Sequence, residues 1–149
     1  RTYHCRRYYL RLNFCLMTTT ITLLFIAGIA NAMMDTLKSQ WAVSRWLDLP
    51  TSHWWYQWAG PEAWRNKWKN GVPALGERFW LSSTALVFLT DGWHFFQMIW
   101  GTCFVLAIVF YQPIAVWWGI DLPVWLFDFV ILKTIYLISF NIFYDKIFR

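Results

Sequence analysis

The sequence predicts an all-α membrane protein, with about three transmembrane helices and short interfacial helices in a Trp-rich loop, built as one integral-membrane domain over residues 1–149. Three observations predict it. First, 58% of the residues are hydrophobic and only 14% charged, where a water-soluble domain carries about a quarter charged residues. Second, three apolar stretches, approximately 12–34, 82–111 and 123–144, match the ~20 residues that cross hydrocarbon as a helix. Third, 13 Trp, 13 Phe and 7 Tyr suit a thin protein with much of its surface at headgroup level, where amphipathic rings are favoured.

The same composition narrows the partners. A net charge of +5, dispersed among apolar segments, suits anionic lipid headgroups and not nucleic acid. Cys5, Cys15 and Cys103 form no C-x-x-C spacing, so neither a disulfide framework nor a thiolate metal site is expected.

Residues 1–11 hold four arginines and three tyrosines, an anchor with cations for phosphates and phenols for the interface. His4 and Cys5 are adjacent, but two neighbouring donors do not close a metal site. Residues 12–34 are uncharged throughout and form the first span. The basic start and Ala30-Asn31-Ala32 are shared with secretory signals, yet the apolar run is longer than a signal needs, so a retained helix is expected. Gly28 and Ala32 form a small-xxx-small pair that lets another helix come close. Asn31 and Asp35 share a face at the helix end, placed to cap it, meet a headgroup or face a buried site.

Residues 36–79 hold seven of the tryptophans and are expected to lie in the interface as one or two short helices, rings inserted and charges outward. Leu49-Pro50 breaks the segment. Gly60-Pro61-Glu62 opens a short helix, since Pro loses nothing at an early position, and Asn70-Gly71 ends it as a turn. Arg65, Lys67 and Lys69 are candidates for contact with a headgroup or another phosphate.

Residues 82–111 are expected to form one long helix, capped by Ser82 or Ser83 and roughly 45 Å long at ~1.5 Å per residue. Gly92 is a possible bend. A polar stripe runs along it at helical spacing: Ser83, Val87, Asp91, His94, Gln97 and Gly101. Asp91 and His94 are the candidate catalytic pair and the candidate metal ligands, because an acid and an imidazole three apart on a helix are neighbours and expensive in lipid. Pro113 ends this helix, and an aromatic turn at 114–122 with Trp117 and Trp118 leads to the third span. That span carries Asp128 and Lys133, five apart and poorly placed to pair with each other. Lys133 needs an acid from another helix, with Asp91 the expected partner.

Three spans put the two termini on opposite sides of the membrane. The 36–79 segment and carboxyl tail hold eight Lys and Arg against four in the amino-terminal tail, which places the Trp-rich segment in the cytoplasm. The four arginines just ahead of the first span argue the other way.

Two strings, WRNKWKNGVPALGERFW at 64–80 and STALVFLTDGWHFFQ at 83–97, resemble a group of small, uncharacterised bacterial integral-membrane proteins. In that group a basic, Gly/Pro-containing loop leads into a helix with an acid–imidazole motif. The resemblance covers about a third of the chain. It implies a bacterial cytoplasmic (inner) membrane and no reaction.

Three functional readings follow. The first is an accessory or structural subunit, surrounded by membrane lipids and packed with other membrane-protein subunits or further copies of itself. The second is a membrane-embedded enzyme acting on a lipid or isoprenoid at the headgroup level. Asp35 and Asp91 would hold a divalent cation there, His94 would serve as general base, and Arg65 and Lys67 would grip phosphate. The third is an ion- or pigment-binding subunit, with Asp91, His94, Lys133 and Asp128 as a proton path or His94 as a pigment ligand. The sequence leaves open whether the protein is an enzyme and which cofactor it would use.

Overall fold

The computed structural model describes residues 2–114 and 123–149, with side chains from residue 11 onward. The aromatic turn expected at 114–122 therefore lies, apart from Ile114, outside the described residues, as do the side chains of the amino-terminal anchor. Four α-helices organise the rest: α1 (Thr2–Ser39), α2 (Trp54–Ala59), α3 (Gly92–Val109) and α4 (Val124–Asn141), the last continuing as a π-helical turn, Ile142–Phe148. Three stretches are long and apolar enough to cross a membrane: Arg11–Ser39, Gly92–Val109 and Val124–Phe148. The fold is that of an all-α membrane protein with a Trp-rich segment between its first two spans.

α1 is the central element. It runs without proline from the anchor into the Trp-rich end, longer than the expected 12–34 span at both ends. The hydroxyls of Thr18, Thr19, Thr20, Thr22 and Thr36 each bond the carbonyl four residues back, at 2.7–3.1 Å. Polar side chains thereby satisfy themselves inside an apolar helix. α3 and α4 both pack on α1. They meet each other through long aromatic side chains: the Trp100 indole N–H lies 3.4 Å from the Tyr136 hydroxyl, and the Phe104 and Tyr136 rings are 5.6 Å apart. The close approach expected at Gly28 is present. A Cβ there would sit 1.8 Å from Ser139 Oγ and 2.6 Å from the Tyr136 carbonyl oxygen of α4.

The packed core sits at one end, around Ala32, Met33, Leu37, Ala59 and Phe148. The Trp-rich segment caps it, and four of its tryptophans are not simply inserted in lipid as expected. Trp41, Trp46, Trp55 and Trp58 stack in sequence at 5.5–6.2 Å between ring centroids, and Trp58 continues to Phe95 of α3 at 5.4 Å. Trp54, Trp64 and Trp80 stay exposed and suit the interface. The carboxyl end returns to this layer, where the Arg45 amide donates to the Phe148 carbonyl at 3.1 Å. Beyond the end of α1 at Ser39, only α2 in this segment is α-helical; the helix expected from Gly60 is a 3₁₀ turn, Ala63–Lys67. Asn70-Gly71 does form a turn, with φ of 51° and 74°.

The second span differs most from expectation. It begins at Gly92, not at residue 82, and neither Ser82 nor Ser83 caps it. Residues 82–90 are turns, with a 3₁₀ element at Val87–Leu89. Side-chain bonds hold them out of a helix. The Glu77 carboxylate accepts from the Leu81 amide at 3.1 Å, the Ser83 amide at 3.2 Å and the Ser83 hydroxyl. Leu81 is left at φ 59°, a conformation unusual for a bulky residue. Ser82 Oγ donates to the Lys67 carbonyl at 2.8 Å, tying this corner to the 3₁₀ turn. With 18 residues, α3 spans ~27 Å, so the overlong rod becomes a length that fits the ~30 Å hydrocarbon.

Candidate functional site

Asp91 and His94 lie where α1, α2 and α3 converge. Gly92 makes the convergence possible: a Cβ there would meet Ala59 Cβ at 2.9 Å and Leu37 Cδ1 at 3.3 Å. Asp91 is extended, at φ −150° and ψ 158°, and caps α3 by accepting from the His94 amide at 3.0 Å. Its other carboxylate oxygen, Oδ2, is 2.7 Å from His94 Nδ1 and 3.2 Å from the Thr90 hydroxyl. This contact occupies Nδ1 and leaves Nε2 as the ring nitrogen open to a ligand. Asp91 is thus an N-cap whose second oxygen is held by the imidazole three residues on, which closes the pair within the chain. Asn66 fixes the approach to it, its side-chain amide donating to the carbonyls of Gln57 at 2.7 Å and Thr90 at 3.1 Å.

The pair opens on a cavity of about 360 Å³. Trp41, Trp64 and Trp93 give it aromatic walls, Leu37 and Lys38 of α1 form one side, and Ala59 and Gly60 at the end of α2 another. The Lys38 ammonium stands 5.5 Å above the Trp93 ring, and the Trp93 and His94 rings meet edge to face at 4.9 Å. The Asp91 side chain is 3% exposed and that of His94 23%. Among the described residues no Ser, Thr or Cys lines this cavity, and no group of three or more His, Cys, Asp or Glu gathers for a metal. What the site offers is an imidazole held at Nδ1 with Nε2 open, an ammonium and apolar walls.

Several expected partners are elsewhere. Asp35 is exposed on α1 and Asn31 half-buried; neither lines the cavity. Arg65 pairs with Glu62 at 2.9 Å and lies over Trp64, Lys67 lies over Trp68, and Lys69 is exposed in the next turn. These three cations are not brought to Asp91 and His94. The polar stripe breaks up because Ser83 and Val87 are off the helix, Gln97 is exposed, and a Cβ at Gly101 would meet open space. The pairing of Asp91 with Lys133 does not form. Asp91 is occupied by His94, while Lys133 is exposed on α4 with its ammonium 5.4 Å over the Phe129 ring. Asp128 is buried and accepts from the Tyr111 hydroxyl and, at 3.0 Å, from the Ile114 amide. It thereby ties the exit of α3 to the start of α4. Lys38 is the residue that sequence reasoning missed. It lies at the end of α1, and its meeting with Trp93 depends on a contact 55 positions away in the chain.

Beside Lys133 runs an apolar groove between α3 and α4, floored by Leu24 of α1 and walled by Phe104, Phe129, Leu132 and Tyr136, with a volume of about 340 Å³. A second cavity of about 260 Å³ shares Leu24, Phe104 and Leu132 and continues it towards Tyr111. Compared with protein-family models, with curated proteins and with solved structures, the chain matches none.

Proposed function

We propose that this small multi-pass membrane protein is an accessory subunit, docking through the α3–α4 groove on a transmembrane helix of a different protein that carries a carboxylate at mid-membrane depth. Lys133 is the observation that carries this reading. It stands nine residues into α4, ~14 Å from the helix start, too deep for its stem to reach either interface easily. A lysine at a span's centre costs about 2.5–3.5 kcal/mol to insert, and a cation–π contact such as that with Phe129 offsets only about 0.5–2 kcal/mol. Among the described residues no carboxylate pairs with it. A second copy of the chain is a poor donor, because among the described residues Asp91 and Asp128 are buried with partners and the exposed Asp35 and Asp145 lie within four residues of the ends of their spans. The resemblance carried by residues 64–80 and 83–97 supports a bacterial cytoplasmic membrane as the setting.

Site-specific photocrosslinking in membranes tests the reading. A crosslinker at Leu132, in the groove, is expected to capture one discrete heterologous membrane protein, whereas one at Val105 captures lipid. Capture is lost in Lys133→Met and kept in Lys133→Arg. A protein that stays a single chain or a homo-oligomer in mild detergent, or a Leu132 adduct indifferent to Lys133→Met, overturns it.

A further inference from the structure

We propose that the cavity beneath the α3 cap is a binding site for a hydroxyl-bearing phosphate ester, in the first place the headgroup of an anionic phospholipid with a free hydroxyl. Asp91 engages His94 at Nδ1, so Nε2 is the ring nitrogen left for a ligand, and a hydroxyl, which both donates and accepts, can hydrogen-bond it in either protonation state. Lys38 supplies the positive charge for the phosphate, its ammonium placed over Trp93 at the cavity wall. Trp41, Trp64 and Trp93 leave the remaining surface apolar, fit for the glyceryl and upper acyl part of the molecule. The volume of about 360 Å³ lies at the small end of ligand pockets, the scale of a headgroup and not of a whole lipid. Its position among the tryptophans at the ends of the spans sets it where headgroups lie.

The site differs from a general attraction to anionic lipid. Arg65 and Lys69 also sit among interfacial tryptophans, but they are outside the cavity. Specific recognition therefore depends on Lys38 and His94 and not on those two cations.

Native mass spectrometry of the purified full chain in mild detergent, titrated with phosphatidylglycerol, tests the proposal. Phosphatidylcholine serves as the headgroup without a hydroxyl, and sn-glycerol 3-phosphate as the soluble form of the same chemistry. Phosphatidylglycerol is expected to bind about tenfold more tightly than phosphatidylcholine, the scale of one charge-assisted hydrogen bond. Lys38→Gln should abolish that preference, as should His94→Phe. Lys38 is exposed, so its variant tests the site even if His94→Phe fails to fold. Arg65→Gln with Lys69→Gln should leave the preference intact. If glycerol phosphate displaces the lipid and does so only with Lys38 and His94 present, the site stands with a soluble source for its ligand. Equal binding of the two lipids, or equal loss from the Arg65/Lys69 variant and from Lys38→Gln, overturns it.

Discussion

At the Trp-rich end, α1, α2, α3 and the π-helical turn after α4 close around Ala32, Met33, Leu37, Ala59 and Phe148, and Asp91 and His94 satisfy each other within the chain. Halfway along the spans the construction is different. There α3 and α4 rest on α1 with few buried residues between them, and Lys133 faces outward. Both regions carry ionisable groups in apolar surroundings. One resolves the cost internally through a cap, while in the other no carboxylate among the described residues pairs with Lys133. The contrast teaches that an intramembrane charge by itself does not mark a site. What matters is whether the fold supplies its partner. It also separates the two proposals: a small-ligand cavity where the fold is closed, a docking face where it is open.

The largest expected effect falls on the open region. Gly28 lets α4 approach α1 so closely that an added methyl would overlap Ser139 Oγ and the Tyr136 carbonyl. Gly28→Ala is expected to lower stability by about 2–3 kcal/mol, the upper part of the range for overpacking, measured by chemical unfolding in mixed micelles. Gly101→Ala, where a Cβ meets nothing within 4 Å, should be neutral or stabilise by up to about 1 kcal/mol through helix propensity. If the two substitutions behave alike, the α1–α4 contact is not what joins the spans, and the contrast between the two regions loses its structural basis.

A smaller loss is expected at the closed end. Asp91→Ala removes the cap of α3 and leaves the His94 N–H without its acceptor, at a cost of about 1–2 kcal/mol. Asp91→Asn keeps an oxygen for the His94 amide and should recover about half of that. Lys133→Met, in the isolated chain, should move stability the opposite way, upward, since it removes a lysine that pairs with no carboxylate among the described residues. Opposite signs in thermal unfolding sharpen the comparison; equal signs remove it.

Much of this architecture was legible in the sequence because it depends on local, one-dimensional properties. Apolar runs of sufficient length gave three spans, and Gly28 announced a close helix crossing. The start of α3 was hidden by the apolar stretch Ala85 to Leu89, which reads as helix on composition. The competing signal, Asp91 three residues before His94 and directly before Gly92, is a cap pattern that hydropathy outweighed. The ties that keep residues 82–90 in turns are not local. Ser82 reaches Lys67 and Asn66 reaches Thr90, and no periodicity encodes either bond. For the same reason the cavity could be half read. Asp91 and His94 are neighbours in sequence, whereas Lys38, Trp41 and Trp64 join them only through the packing of α1 and α2 against α3.

The smallest expected effect probes those non-local ties. Glu77 accepts bonds from the Ser83 hydroxyl and from the Ser83 and Leu81 amides. The Ser83 hydroxyl, first among these, outweighs the opposing effect of burial and holds the Glu77 carboxyl below its ordinary value of 4.5. A folded-state value below the unfolded one stabilises the corner fully above pH 4.5, and the stabilisation is lost as pH falls through the lowered value. Residues 77–83 are therefore expected to loosen on acidification below pH 4.5, read by hydrogen exchange at the Leu81 and Ser83 amides. Exchange at the His94 amide shows whether the α3 cap is coupled to them. Glu77→Gln should remove the pH dependence, because the amide cannot titrate, and leave both serine and leucine amides faster to exchange at neutral pH. If the His94 amide loosens together with Leu81 in the wild-type chain but not in Glu77→Gln, the corner and the cap are one cooperative unit. The closed end of the molecule would then extend from α3 to Glu77, and the turn at 82–90 would belong to the binding cavity's own support.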